Sequence, residues 1–387
     1  MRLSARAESL SPSLTLSIIA KAARMRAEGH DICSLSAGEP DFDTPGFICD
    51  AAVEALRQGK TRYGPAAGEP ALRCAIAAKL YRDNRLDTNS QQVLVTNGGK
   101  QALFNLFQVL LGPGDEALIP APYWLSYPEM ARLAGARFTV LPTRLEDGFC
   151  LDPDQLEAAI GPDSRLLVLN SPGNPGGNVY DRGQLQAIAS VLRQHPQVLV
   201  VSDEIYEHII YADNRHHSLP AVAPDLASRC FVVNGFAKGW AMTGWRVGYL
   251  AGDADVIAKA AALQSQSTSN VCTFAQYGAL AALEGLRDCI RTMLAAFAER
   301  RAFMLRGLAA FPQLKLSAPR GAFYLFPDIS ATGMDSISFC DRLLQLHKVA
   351  VVPGIAFGDD RCVRLSFASD TTNLMEGLRR LGAFLGG

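Results

Sequence analysis

Hydrophobic residues recur along the middle of the chain in runs of strand and helix length. Short, nearly continuous Val- and Leu-rich runs predict strands in "QQVLVTNGG", "DEALIPA", "ARFTVLP", "SRLLVLN", "QVLVVSD" and "CFVVNG". Between the first three of these strands, apolar residues recur with helical spacing in "KQALFNLFQVLL" and "YWLSYPEMARLAG". Strands without polar alternation are buried on both faces, as in a mostly parallel sheet covered by helices. The pattern therefore predicts a doubly wound α/β fold.

The pattern changes after about Leu286. A long helical stretch is predicted to reach about Leu308, and short strands follow in "GAFYLFPDI", "VAVVPGIAF" and "CVRLSFA", interleaved with helices. This arrangement predicts a smaller α+β domain, against which the N-terminal helix packs. We therefore expect a large domain over residues 46–285 and a discontinuous small domain made of residues 1–45 and 286–387.

Composition narrows the classes of protein and partner. Of 387 residues, 49% are hydrophobic and 19% charged, which is typical of a globular protein. A net charge of −1 without dense basic runs argues against nucleic-acid binding. No apolar run reaches the ~18 residues of a membrane helix, and the first residues do not resemble a secretory signal. Nine scattered cysteines without CxxC indicate reduced thiols in the cytoplasm, and the pair His216-His217 alone is a poor metal site, so no metal is expected.

Candidate chemistry is concentrated where the predicted strands end. Ligands of open α/β sheets bind beyond the carboxyl ends of the strands. The segments at these ends present a helix N-terminus, an aromatic ring, an amide, a carboxylate and a lysine, and they are residues 97–100, 122–124, 170–177, 203–206 and 235–238. We expect them to meet at one edge of the sheet.

The stretch "TNGGKQAL" places two glycines between a strand and a helix. The free N–H groups at such a helix start can bind a phosphate, and Arg246 could add a bidentate contact. Each signal is weak alone, because the turn can be only a turn and Arg246 can form a structural ion pair.

Three further strand ends have a structural alternative as well as a functional one. Asp203 follows a buried strand and must be paired, capping or functional, with Tyr206 three residues on. Trp124 could stack on a flat ring or pack in the core. Asn174 could bind a ligand or shape its Pro- and Gly-rich loop.

Lys238 changes the balance between these alternatives. A lysine between a strand end and an apolar segment, with a cation nearby, can have a lowered pKa, and Schiff-base chemistry requires the neutral amine. A phosphate site, a ring-stacking indole, a carboxylate for a pyridinium nitrogen and this lysine together match pyridoxal 5'-phosphate.

Ten stretches in order carry a resemblance to a known family over nearly the whole chain. They are "LSAGEPDFDTP", "TRYGPAAGEPALR", "TNGGKQALFNLF", "APYWLSYPEM", "NSPGNPGG", "SDEIYEH", "NGFAKGWAMTGWRVGY", "GAFYLFPDI", "VVPGIAFG" and "VRLSFA". The chain resembles the class I/II aminotransferases that depend on pyridoxal phosphate. It is similar to the bacterial branch of aspartate aminotransferases that includes prephenate aminotransferases, especially its cyanobacterial members. The resemblance implies fold type I, with a mostly parallel seven-stranded sheet.

The resemblance also implies roles for the cofactor-binding residues. Lys238 would bind the cofactor covalently and act as catalytic base and acid, and Asp203 would hold the pyridine nitrogen protonated. The other predicted cofactor contacts are Tyr206 and Asn174 at the ring hydroxyl oxygen, Trp124 on the ring, and Gly99, Lys100 and Arg246 at the phosphate. Tyr63 would reach the phosphate of the neighbouring subunit, which implies a homodimer with shared active sites.

For the substrate, the resemblance implies a carboxylate site at each end. Arg364 would bind the α-carboxylate with Gly38, Asn174 and Trp124 beside it. The Lys100 side chain, Ser13 and Thr15 would bind the distal carboxylate of an acidic substrate. The expected reaction moves an amino group from an L-amino acid, with aspartate preferred, to 2-oxoglutarate by a ping-pong mechanism.

Two positions depart from the family pattern. The usual Asn-Pro-Thr-Gly loop here has Gly176 in place of threonine. Loss of that hydroxyl predicts a missing local cap and a looser loop. Ala237 stands where some relatives have serine, which removes one possible hydroxyl contact beside Lys238.

Alternatives remain at this point. A prephenate or aromatic aminotransferase would use the same residues, and a C–S lyase or decarboxylase could use the same scaffold without an oxo-acid acceptor. An effector-binding domain of a transcription regulator would need a DNA-binding domain, for which we see no room before "LSAGEPDFDTP". A nicotinamide-dependent dehydrogenase would need a GxGxxG after a strand, and the sequence does not have it there.

Overall fold

The computed structural model describes residues 2–8, 10 and 14–386. Its strands are β1 (Cys33–Ser34), β2 (Val93–Thr96), β3 (Glu116–Ala121), β4 (Arg137–Pro142), β5 (Ser164–Asn170), β6 (Leu199–Asp203), β7 (Cys230–Gly235), β8 (Gly248–Ala251), β9 (Tyr324–Leu325), β10 (Val349–Ala350), β11 (Val352–Pro353) and β12 (Val363–Ser366). Its helices are α1 (Ala5–Glu8), α2 (Leu14–Ala27), α3 (Gly46–Arg57), α4 (Pro70–Lys79), α5 (Gly99–Leu110), α6 (Ser126–Leu133), α7 (Pro153–Ala159), α8 (Arg182–Gln194), α9 (Leu219–Val222), α10 (Ala254–Ser267), α11 (Thr273–Glu284), α12 (Asp288–Leu308), α13 (Ser336–His347) and α14 (Thr371–Leu385). The six strands predicted between residues 91 and 235 are all present.

Seven strands form the central sheet in the order β2-β8-β7-β6-β5-β3-β4. Strand β5 shows why the sheet is buried on both faces. Leu166 and Val168 pack into a core on one face, and Leu167 and Leu169 pack into a different core on the other. Burying one such side chain stabilises the fold by about 1.5–3 kcal/mol, so two helix-covered faces follow from the unbroken apolar runs.

Strand β8 is antiparallel to both of its neighbours, β2 and β7. Strand β2 is therefore parallel to β7, and the pairs from β7 through β6, β5 and β3 are parallel as well. As a consequence, the carboxyl ends of β2, β3, β5, β6 and β7 lie along one edge of the sheet. The five segments singled out in the sequence leave the sheet at that edge.

The five remaining strands form two small sheets. Strand β1 pairs in parallel with β10, and β12 lies between β11 and β9 in an antiparallel sheet. Helix α2 contacts β10 and β11. These contacts support a domain built from both ends of the chain, and its predicted boundaries stay a prediction. Within the described ranges, every helix is too short or too polar to cross a bilayer.

Candidate active site

A cavity of about 370 Å³ lies at the carboxyl edge of the central sheet. It is lined by residues from all five strand-end segments and from both ends of the chain. The predicted site residues that line it are Thr15, Gly38, Gly99, Lys100, Trp124, Asn174, Asp203, Tyr206, Lys238, Arg246 and Arg364. The structure therefore gathers in one place residues that are up to 349 positions apart in the sequence.

Lys238 follows β7 by three residues and points into this cavity. Its Nζ donates a hydrogen bond to the Gly38 carbonyl oxygen and lies 5.7 Å from the centroid of the Tyr206 ring. Desolvation lowers the pKa of Lys238 to about 8, and the positive charges of Arg364 and Arg246 act in the same direction. The neutral form of this amine is therefore more accessible than in an ordinary lysine.

Asp203 is the last residue of β6 and is buried. Its Oδ2 accepts a hydrogen bond of 2.7 Å from the hydroxyl of Tyr127, which is itself buried on α6. Burial raises the pKa of Asp203 to about 6, and the Tyr127 hydrogen bond opposes that rise. Tyr127 is not among the residues predicted from the sequence, although its position three residues after Trp124 would place both on one helical face.

Arg246 lies beside the N-terminus of α5. Its Nη1 donates to the Thr243 carbonyl at 2.9 Å and its Nη2 to the Asn97 carbonyl at 3.3 Å. Gly98 has a φ of +76°, and a Cβ there would lie 2.5 Å from Arg246 Nη2. The glycine thus lets the guanidinium approach the helix start, where the first backbone N–H groups have no partner inside the helix. Together they form a site for an anion.

Trp124 and Lys100 form another wall of the cavity. Lys100 Nζ lies 4.9 Å from the centroid of the Trp124 ring, and desolvation and the Arg246 charge lower the pKa of Lys100. The Thr15 hydroxyl also lines the cavity, and this buried oxygen has no hydrogen-bond partner in the described part of the chain. An ammonium and a free hydroxyl here could both bind a carboxylate.

Arg364, on β12, is buried with 2% of its surface exposed. Its Nη1 donates to Asn174 Oδ1 and its Nη2 to the Ser36 carbonyl, both at 3.0 Å. Its Nε has no partner among the described residues. A buried guanidinium without a facing carboxylate is costly unless a ligand supplies one, so this arrangement fits a bound carboxylate.

Tyr206 and Tyr324 share a hydrogen bond of 2.8 Å between their hydroxyl groups, and both side chains are buried. Tyr324 lines the cavity but was absent from the sequence-based site, although "GAFYLFPDI" contains it. The sequence offers only a tyrosine in an apolar strand, which is also what core packing produces.

Two predicted residues are missing from this set, for different reasons. Ser13 lies outside the described residues. Tyr63 has 92% of its surface exposed and lines a different surface pocket, with Arg62 and Asn270. An exposed Tyr63 is compatible with the predicted contact across a dimer.

The loop that contains Gly176 differs from expectation. Instead of being loose, residues 171–180 are all buried, and the Gly177 N–H donates to the Gly173 carbonyl at 2.9 Å. A Cβ on Gly176 would lie 2.9 Å from Cδ2 of Phe149. The Phe149 ring therefore occupies the space that a threonine side chain would need, and packing replaces the missing hydroxyl.

Known proteins share both sequence and fold with this chain. Residues 30–381 match the family model described as aminotransferase class I and II. The aspartate/prephenate aminotransferase of Nitrosomonas europaea is 43% identical, with 100% of both chains covered. The aspartate/prephenate aminotransferase of Thermus thermophilus is 46% identical, with 99% of both chains covered. The solved structure of the Thermus thermophilus aspartate aminotransferase with maleate has a TM-score of 0.95 at 45% identity, covering 99% of this chain and 100% of the other.

Proposed function

The chain belongs to the class I and II aminotransferases, and on that premise we propose that it transfers the amino group of L-aspartate to 2-oxoglutarate. The observation that carries the proposal is the cavity that holds Lys238, Asp203 and Arg364 together. It combines an amine of lowered pKa, a buried carboxylate and a guanidinium that has no acidic partner among the residues the structure describes. Transamination of an amino acid needs these three groups at one place.

Several residues that line this cavity fit the pyridine ring and the phosphate group of pyridoxal 5'-phosphate. The Arg246 guanidinium and the N-terminus of α5, brought together at Gly98, suit its phosphate. Asp203 suits its ring nitrogen, and Trp124 offers an aromatic surface for its ring. Tyr206 and Asn174 are available for its ring hydroxyl, and Lys238 for its aldehyde carbon. When bound, pyridoxal phosphate supplies a carbonyl group that exchanges with the amino group and a ring that delocalises negative charge.

The protein residues then bind the amino acid and move its proton. Arg364 binds the α-carboxylate, with Asn174 orienting the guanidinium through the hydrogen bond at Nη1. Lys238 Nζ, as the neutral amine, accepts the proton from the substrate Cα and later donates it. With pyridoxal phosphate bound, Asp203 would stay charged and hold the ring nitrogen protonated, which would offset the cost of burying this carboxylate.

The cavity wall that contains Lys100 and Thr15 supports a dicarboxylic substrate. Lys100 offers an ammonium there, and Thr15 offers a hydroxyl that has no hydrogen-bond partner among the described residues. We propose that they bind the distal carboxylate, together with Ser13. The named relatives favour aspartate, and prephenate, which also has a second carboxylate, is the second candidate.

We also propose that two chains form a homodimer with shared sites. Tyr63 is exposed and does not line the cavity of its own chain. Its phenol would instead contact the phosphate bound by the neighbouring subunit.

The direct test is an assay of the purified chain with pyridoxal phosphate, L-aspartate and 2-oxoglutarate. We expect oxaloacetate and L-glutamate in equal amounts. Lys238→Ala should lower the rate by ~10⁴-fold or more, because it removes the amine proposed to move the Cα proton. Lys259→Ala, at an exposed position on α10, is the matched control and should retain the wild-type rate. Near-normal turnover of Lys238→Ala would remove Lys238 from this role.

Substrate class is tested by assaying aspartate, prephenate and phenylalanine or phenylpyruvate in parallel. Lys100→Met should raise the KM for aspartate about 10-fold or more while affecting phenylalanine less, because only aspartate has a distal carboxylate. Equal losses for both substrates would contradict the distal-carboxylate role of Lys100. Sustained product formation from an amino acid without any oxo acid would indicate a lyase or decarboxylase instead.

A further inference from the structure

Tyr324 lies between the two groups that would bind the substrate and the cofactor. The Arg364 guanidinium carbon is 4.5 Å from the centroid of the Tyr324 ring. At the other end of the same side chain, the Tyr324 hydroxyl is 2.8 Å from the Tyr206 hydroxyl. The side chain is 1% exposed, so both contacts are made away from water.

The hydrogen bond between Tyr206 and Tyr324 leaves one hydroxyl proton for another partner. Each tyrosine has one O–H, and only one of the two can donate within the pair. If Tyr324 donates to Tyr206, the Tyr206 proton is free to donate to a ligand in the cavity. Hydrogen bonds in such a chain strengthen each other.

The surroundings favour that direction. Burial raises the pKa of both tyrosines, that of Tyr206 well above its ordinary value, and the positive charge of Arg364 opposes the rise at both. Because the guanidinium lies directly over the Tyr324 ring, its charge favours Tyr324 as the donor of the pair. In this chain of hydrogen bonds, Tyr206 is farther from Arg364 than Tyr324 is. The Tyr206 ring is held edge-on by Phe323, with ring centroids 5.4 Å apart, and by Tyr324, with centroids 5.8 Å apart. The rings are thereby fixed in the orientation that the hydroxyl pair needs.

We propose that Tyr324 is a positioning residue that couples carboxylate binding at Arg364 to the hydrogen bond that Tyr206 donates into the cavity. The inference rests on the proposed function, in which Tyr206 faces the cofactor and Arg364 the substrate carboxylate. A carboxylate on Arg364 neutralises the charge beside the Tyr324 ring. Tyr324 then becomes a weaker donor, and the hydrogen bond from Tyr206 weakens with it.

The test is Tyr324→Phe, which keeps the ring beside Arg364 and removes only the hydroxyl. The quantity to measure is the pKa of the bound pyridoxal phosphate, which is obtained from its absorbance as a function of pH. The titration is done with and without maleate, a dicarboxylate that has no amino group. Without maleate, we expect this pKa to rise by about half a unit in the variant. The reason is that Tyr206, as a weaker donor, stabilises the anionic ring oxygen of pyridoxal phosphate less. The additional shift caused by maleate should be smaller than in the wild type.

Steady-state kinetics provide a second readout. Arg364 keeps its hydrogen bonds to Asn174 and Ser36 in the variant, so the KM for aspartate should change by less than about 3-fold while kcat falls several-fold. Tyr206→Phe should lose the same part of the maleate shift, and Tyr324→Phe added to it should have no further effect. This second variant also serves as the test if Tyr324→Phe does not fold. Tyr180→Phe, another buried tyrosine that does not line the cavity, is the control.

Wild-type values of the pKa and of the maleate shift in Tyr324→Phe would overturn the proposal while leaving the proposed function in place. Failure of the proposed function is distinguishable, because the wild-type chain would then neither bind pyridoxal phosphate nor convert aspartate. A pKa change in Tyr324→Phe that adds fully to that of Tyr206→Phe would also overturn it, since the two hydroxyls would then act independently.

Discussion

Lys238 and Asp203 have pKa values shifted toward their neutral forms, the first down to about 8 and the second up to about 6. Desolvation is the main cause of both shifts, since a charge held away from water is costly. Each group would regain a partner when the cofactor binds. The site without cofactor is therefore expected to be destabilising for the fold, as functional sites often are.

Asp203→Asn tests that cost in the chain freed of cofactor. The folded-state pKa of Asp203, about 6, is above its ordinary value of 3.8. The stability associated with the bound proton is present below pH 3.8 and is lost as the pH rises through 6. At pH 8 the asparagine variant should therefore be more stable than the wild type, by about 1–3 kcal/mol.

Melting temperatures of the cofactor-free proteins provide the measurement. The advantage of Asp203→Asn should be clear at pH 8 and should disappear near pH 4. Asp213→Asn, at an exposed loop position, should show no such pH-dependent gain. A variant less stable than the wild type at pH 8 would show that Asp203 contributes to the fold through its charge.

At this scale, the sequence predicts residue types better than contacts. Lysine, aspartate and arginine next to apolar strand ends are improbable in a core, so their positions were informative. Tyr127 and Tyr324 were missed because a buried tyrosine packs like other aromatic residues. Only the three-dimensional structure shows which oxygen its hydroxyl meets.

The turn after β6 shows how an element is held behind the site. Asp203 and Tyr206 face the cavity, whereas Glu204 and Glu207 are buried on the other side. Glu207 forms an ion pair with buried Lys79, whose positive charge lowers the pKa of the carboxyl. These carboxylates therefore anchor the turn.

Lys79→Met should destabilise the protein by about 3–5 kcal/mol, because it leaves a buried carboxylate without its partner. Arg137→Met, which breaks an ion pair between exposed residues, should cost less than about 1 kcal/mol. Unfolding in urea, followed by circular dichroism, compares the two. Combining Lys79→Met with Glu207→Gln should recover part of the loss. A Lys79→Met variant as stable as Arg137→Met would show that this pair does not hold the turn.

The loop with Gly176 provides a second test at the level of elements. Phe149 has a φ of +59° and packs edge-on against Phe326 at 5.7 Å, so its ring has little freedom to move away from Gly176. Gly176→Thr, which restores the family residue, should therefore lower stability by about 1–3 kcal/mol through overpacking. Exchanging Phe149 for leucine in that background should restore part of it.

The matched control for this loop is Gly161→Thr. A Cβ on Gly161 would have no neighbour within 4 Å, so the melting temperature should stay near that of the wild type. A stable Gly176→Thr variant would mean that Phe149 moves aside at little cost. The sequence identified the missing hydroxyl but not the ring that fills its place, because residues 149 and 176 meet only after folding.

For the whole molecule, the unbroken apolar runs were enough to predict an α/β fold and six of the seven central strands. Strand β8 was missed because its four residues follow the glycine- and tryptophan-rich segment after Lys238. Strand order and the antiparallel direction of β8 have no local signature, since they are decided by how the layers pack. The strand-end rule nevertheless located the site, because parallel strands share one carboxyl edge.

Shared active sites are tested by mixing two inactive variants, Lys238→Ala and Tyr63→Ala. If Tyr63 acts on the neighbouring subunit, a mixed dimer has one site with both Lys238 and Tyr63 of the partner subunit intact. Refolding an equal mixture should then produce native sites at about a quarter of the total by random pairing. Activity no higher than the sum of the two variants alone would show that Tyr63 does not act across the dimer.

The central claim is that the cofactor-loaded enzyme retains the amino group of L-aspartate after the first half-reaction and transfers it to 2-oxoglutarate in the second. The measurement is a single turnover of the cofactor-loaded enzyme, freed of unbound cofactor, with L-aspartate and no oxo acid. We expect one equivalent of oxaloacetate per subunit, with the amino group retained on the enzyme, and one equivalent of L-glutamate when 2-oxoglutarate is then added. No oxaloacetate, or its continuous release without an acceptor, would contradict the account.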